Sequence, residues 1–121
     1  MTNNRILITS ASRTAVASLG KSLKNIPAHD LGSRVISDQM NKSKLRNTDI
    51  EEVIFGQVLT SGSGQNPARQ ASMKSGLSKE TPAYIVNQVC GSGLRSVVSG
   101  FQSILSGNSK IIIAGGQESM S

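Results

Sequence analysis

Short apolar runs alternate with helical patterns along the whole chain, and that alternation restricts it to an α/β architecture. Ile6-Leu7-Ile8, within Arg5 to Thr9, predicts a first strand. From Ala28 to about Lys44, Leu31, Val35, Ile36 and Met40 recur at helical spacing, with Asp30 in the first turn and Lys42 and Lys44 in the last, as the helix dipole favours. Val53 to Leu59 predicts a second strand. Asn66-Pro67 supplies an N-cap and a first-turn proline, and Gly76 a C-terminal stop, for a short second helix. Ala83 to Val89 predicts a third strand, and Leu94, Val97, Val98, Phe101, Ile104 and Leu105 form an apolar stripe on a third helix ending near Gly107. Lys110 to Ala114 predicts the fourth strand. The order β-α-β-α-β-α-β implies a mostly parallel sheet with right-handed crossovers and helices on both faces.

The chain has 121 residues, enough for one domain, and carries 13 Lys+Arg against 7 Asp+Glu. The excess of positive charge raises a nucleic-acid reading, but the basic residues are spread from Arg5 to Lys110. Their one cluster, Lys42, Lys44 and Arg46, reads as a solvated connection without stacking aromatics, so no nucleic-acid partner is expected. The longest unbroken apolar stretch, Ile111 to Ala114, is far too short for a membrane span. Met1 to Asn4 run directly into Ile6 with no signal-peptide layout, and a single Cys cannot form an internal disulfide, so a reducing cytoplasmic setting is expected.

Function in such sheets sits beyond the carboxyl ends of the strands. There the third strand runs straight into the third helix through Asn87-Gln88-Val89-Cys90-Gly91-Ser92-Gly93-Leu94, placing the only cysteine in the first helical turn. A thiol at that position faces unpaired backbone N–H groups and the positive end of the helix dipole, which favour its anionic, nucleophilic form. Gly91 and Gly93 allow a substrate carbonyl to approach the backbone and leave amides for an oxyanion hole. The alternative is a buried cysteine acting as a small hydrophobe beside packing glycines. One Cys and one distant His supply too few ligands for a metal site, and Gly91-Ser92-Gly93 is not a dinucleotide fingerprint.

Asn87-Gln88-Val89-Cys90-Gly91-Ser92-Gly93-Leu94-Arg95 closely resembles the nucleophile motif of thiolases. Gly115-Gly116-Gln117-Glu118-Ser119-Met120-Ser121 resembles a second block of that family, Ser12-Arg13-Thr14-Ala15-Val16 its N-terminal Arg-Thr block, and Gly64 to Ala71 its helix-two entry. The blocks fall in the family's order, in the manner of its acetyl-CoA acetyltransferase branch. The resemblance implies that Cys90 takes the acyl group from an acyl-CoA substrate, releasing CoA. A carbanion from a second acetyl-CoA then receives that group in a Claisen condensation, with thiolysis as the reverse, as in fatty acid metabolism. CoA thioesters enter as substrates, and no separate cofactor or metal is expected.

Relative to the family, residues 1–121 are expected to be a truncated N-terminal domain. The family's catalytic His, its second Cys and its Asn-Glu block have no counterpart here. His29 lies outside every matching motif, and Asp49, Glu51 and Glu52 read as a solvated turn. The chain is therefore expected to be inactive unless a C-terminal thiolase half associates with it. The alternative is a non-catalytic fragment or assembly module, pairing with a full-length thiolase or with itself as a homo-oligomer through an exposed sheet edge.

Overall fold

The computed structural model describes residues 5–121, so the reading of Met1–Asn4 lies outside the described residues. Helix α1 spans Ala28–Ser43, strand β1 Glu52–Gly56, helix α2 Pro67–Lys74, strand β2 Ala83–Val86, helix α3 Ser92–Leu105 and strand β3 Ile112–Gly116. The sheet is parallel throughout, ordered β2-β1-β3, with Val53 opposite both Ala83 and Ile113 and Gly56 opposite both Val86 and Gly116. From β1 the chain crosses to one side through α2, then back past β1 to the other side through α3. Right-handed crossovers in opposite directions put these two helices on opposite faces.

Every residue of the central strand β1 is buried, and its alternation divides the core. Val53 and Phe55 join Ile36, Ile50, Ala68, Ala71 and Leu77 in one apolar cluster under α1 and α2. Glu52, Ile54 and Gly56 face α3. Small residues make that second contact: Ser92, Ser96 and Gly100 are the buried positions of α3, and a Cβ on Gly100 would touch Ile112 and Ala114 at 3.5 Å. The apolar stripe read from the sequence is consequently turned away from the sheet, leaving Leu94 74%, Phe101 48% and Leu105 62% exposed.

The helices start and stop where their punctuation requires. The Asn66 side chain accepts from the Arg69 N–H at 3.1 Å, Pro67 opens α2, and Gly76 turns the chain away at φ +87°. Lys44, in the left-handed region, ends α1.

Two expectations are corrected. Arg5 to Thr9 is not a strand: the segment makes no ladder, and Leu7 and Ile8 are 70% and 82% exposed. Three apolar residues favour burial but specify no pairing partner, and both strands flanking β1 are already other segments of the chain. Residues 5–19 instead run irregularly, held through Ser12, whose hydroxyl bonds the Asp38 carboxylate and receives the Gln39 amide and the Lys42 ammonium. Glu52 is not part of a solvated turn either. It opens β1, is 8% exposed, and accepts from the Ser103 and Ser109 hydroxyls at 2.7 and 3.2 Å. Its neighbours match the expectation better: Asp49 pairs with Arg46 at 2.7 Å, and Glu51 accepts from the Lys110 N–H. Among the described residues no helix is long and apolar enough to cross a membrane.

Candidate functional site

The three strands deliver their carboxyl ends to one place, and the segments leaving them meet there. After β1 come Gln57, Val58 and Leu59; after β2, the turn carrying Cys90; after β3, Gln117 to Ser121. All of these border one cavity of about 1210 Å³, together with residues 6–19. Three of the four sequence blocks, Ser12–Val16, the cysteine turn through Val89, Cys90, Ser92 and Gly93, and Gly115–Ser121, therefore line a common space, while the helix-two entry does not.

The start of the helix that follows Cys90 sits close to the sheet because Gly56 and Gly116 carry no side chain beneath it. A Cβ on Gly56 would come within 2.4 Å of the Ser92 carbonyl carbon and 2.6 Å of the Gly93 nitrogen, and one on Gly116 within 3.5 Å of the Gly93 Cα. The Ser96 hydroxyl, fully buried, bonds the carbonyls of Gly93 and Gly115 at 2.6 Å each.

Cys90 is a free, exposed thiol, which removes the buried-hydrophobe alternative. Val89, immediately before it, has φ +49°, a left-handed conformation rare for a β-branched residue. A Cβ on Gly93 would meet nothing within 4 Å, so open space lies in front of the helix start. The amides of Gly91 and Ser92 are not free, however. They bond the carbonyls of Gln88 and Val89 at 3.0 and 3.1 Å, so only the Cys90 and Gly93 amides of this turn remain for an oxyanion.

Two side chains tie the segment after β3 to the one after β1. The Glu118 carboxylate accepts from the Val58 and Leu59 N–H groups at 2.7 and 3.1 Å. The buried Gln117 amide donates to Gln57 Oε1 at 2.8 Å, and Gln57 donates to the Leu59 carbonyl at 2.8 Å. Asn87 completes the connection, donating to the Val58 carbonyl at 3.3 Å and accepting from the Val89 N–H at 3.0 Å. The roles of Glu118, Asn87 and Ser92 escaped the sequence reading, as did that of Gly56, whose place inside the predicted strand Val53 to Leu59 is the signal that marks close backbone approach.

His29 is not brought to Cys90. It lies in the first turn of α1 beside Asp30, its Nε2 3.3 Å from the carboxylate, and does not border the cavity. Among the described residues no cluster of three His, Cys, Asp or Glu side chains could hold a metal ion.

Comparisons with known proteins agree on one fold and one family. Residues 6–121 match the family described as thiolase, N-terminal domain. The chain is 55% identical over 116 residues to an acetyl-CoA acetyltransferase of Chromobacterium violaceum, covering 96% of this chain and 30% of that protein. It is 50% identical over 121 residues to an acetyl-CoA acetyltransferase of Rhizobium meliloti, covering 100% and 31% respectively. The fold superimposes on the crystal structure of the Acat5 thiolase of Ascaris suum in complex with coenzyme A, with TM-score 0.79 and 37% identity over 82% of this chain and 26% of that one. The chain thus spans about three-tenths of the length of the relatives it matches.

Proposed function

The chain belongs to the thiolase family, matching its N-terminal domain, and from that premise we propose that it is the nucleophile-bearing portion of an acetyl-CoA C-acetyltransferase. The observation that carries the proposal is the placement of Cys90: an exposed thiol on the turn just before the N-cap Gly91 of α3, rather than in the first helical turn as the sequence suggested, bordering a cavity onto which the ends of all three strands open.

In the first half-reaction the Cys90 thiolate attacks the thioester carbonyl of acetyl-CoA, forming a carbon–sulfur bond and an oxyanion within reach of the Cys90 and Gly93 amides. Collapse breaks the bond to CoA, whose sulfur leaves as thiolate and takes a proton. In the second, a base removes an α-proton from another acetyl-CoA, and the carbanion attacks the acetyl-Cys90 carbonyl. The product is acetoacetyl-CoA, and Cys90 departs as thiolate. Dividing the transfer in this way replaces one difficult step by two thioester exchanges, to which a soft sulfur nucleophile is suited.

No His approaches Cys90 among the described residues, and the sequence holds no second Cys. Both bases then come from the remainder of a thiolase. Loss of each costs about 100- to 10,000-fold, so turnover by this portion alone is negligible. The exposed face of α3, with Leu94, Phe101 and Leu105, supports coverage by that remainder. An exposed free thiol also suits a reducing, cytoplasmic compartment.

The test is a graft. Residues 1–121 replace the matching segment of the Rhizobium meliloti acetyl-CoA acetyltransferase, and acetoacetyl-CoA formation is measured. An active graft silenced by Cys90→Ala supports the reading. A folded graft that is inactive, or whose activity survives Cys90→Ala, sinks it.

A further inference from the structure

The turn that presents Cys90 depends on a residue in an unfavourable conformation. Val89 has φ +49°, and its side chain is 64% exposed, so little packing compensates for the left-handed backbone of a β-branched residue. The hydrogen bonds on its two peptide groups do. On one side the Val89 N–H is held by Asn87 Oδ1 at 3.0 Å, and Asn87 is itself anchored to the Val58 carbonyl. On the other, the Val89 carbonyl accepts from the Ser92 hydroxyl at 2.6 Å and from the Ser92 N–H at 3.1 Å. The same hydroxyl accepts from the Gln88 N–H at 2.8 Å, so it spans the strained residue from both ends. Ser92 is 4% exposed, beneath the turn and out of reach of solvent that could replace these bonds.

We propose that Ser92 is a positioning residue: with Asn87, it clamps Val89 in the left-handed conformation and thereby fixes Cys90 at the start of α3. Its significance for acyl transfer rests on the assignment of Cys90 as nucleophile, whereas the clamp itself does not. A merely structural serine and a clamp differ in one respect. Glycine adopts the left-handed region without strain, so a clamp becomes dispensable once residue 89 is glycine, while a general packing role does not.

The experiment is a double-mutant cycle on Ser92→Ala and Val89→Gly with two readouts: the rate of Cys90 acetylation by acetyl-CoA, and hydrogen exchange at the residue-89 amide. That amide bonds Asn87 rather than Ser92, so its protection reports the turn instead of the deleted bond. With Val89 present, Ser92→Ala is expected to slow acetylation and to speed exchange by about tenfold each, the order expected for release of one strained residue. With glycine at 89, the effect of Ser92→Ala should shrink to within about twofold. Equal effects of Ser92→Ala in both backgrounds, or unchanged exchange, overturn the clamp. If Ser92→Ala does not fold, the same cycle run with Asn87→Ala decides, with exchange read at the Ser92 amide, which bonds the Val89 carbonyl and not Asn87. Absence of acetylation in the unmutated chain at about pH 9, where a thiol ionises without a base, contradicts the nucleophile assignment, and hydrogen exchange alone then settles the clamp.

Discussion

Gly56 at the end of β1 lies directly beneath Ser92 at the start of α3, so close that a Cβ on Gly56 would stand 2.4 Å from the Ser92 carbonyl carbon. The Cβ is fixed by the strand backbone and the Ser92 carbonyl carbon belongs to the helix backbone, so neither can rotate aside. Gly56→Ala is therefore expected to push the start of α3 off the sheet, destabilising the fold by about 1–3 kcal/mol. Urea unfolding measures the loss, and a variant as stable as the parent would contradict this packing.

Glu118 holds two backbone amides of the segment after β1, at 2.7 and 3.1 Å, and links that segment to the end of β3. Charged acceptors make the stronger class of hydrogen bond. Glu118→Ala should cost about 1.5–3 kcal/mol and speed amide exchange at Val58 and Leu59 specifically. Unchanged exchange at those two amides would show that the carboxylate does not hold them.

Asn66 serves α2 twice, capping the Arg69 N–H and donating to the Ala83 carbonyl, and it does so at φ 44°. Asn tolerates that backbone and alanine does not. Asn66→Ala should lose about 1–2 kcal/mol, and Asn66→Gly, which relieves the backbone but lacks the side chain, should lose less. Equal losses measured by thermal unfolding would mean that the left-handed conformation contributes nothing.

Asp30 joins α1 to α2 through the Lys74 ammonium, whose hydrogen bond and charge hold the carboxyl below its ordinary value of 3.8. A carboxylate with a depressed native pKa contributes stability that is fully present above the unfolded value. That contribution disappears as pH falls through the lower native value. The stability gap between the parent chain and Asp30→Asn should thus be constant near neutrality and close below 3.8. Because the pair is exposed, the gap is small. A gap that stays unchanged from about pH 7 to about pH 2 would exclude this linkage.

Much of this fold is written locally. Asn66-Pro67 and Gly76 bound α2 as read, Ala28–Ser43 follows its apolar period, and the three observed strands fall within two residues of their expected starts. What sequence could not supply was pairing and facing. Ile6-Leu7-Ile8 has strand-forming composition but no ladder, and the stripe from Leu94 to Leu105 points away from the sheet because the small residues Ser96 and Gly100 make the contact. The site divides the same way. Cys90 at a strand–helix junction is visible from residue order, whereas the Asn87–Val89–Ser92 hydrogen bonds depend on a left-handed Val89 that no propensity suggests.

Acyl transfer by this chain requires that Cys90 accept an acyl group. Intact-protein mass spectrometry of the parent chain and Cys90→Ala after incubation with acetyl-CoA decides it, at about pH 9, where a thiol ionises without help from a base. The expected result is an increment of one acetyl group on the parent chain, mapped to Cys90 and absent from the variant. A folded parent chain with no adduct, or equal acetylation of both proteins, would contradict the assignment of Cys90 as nucleophile.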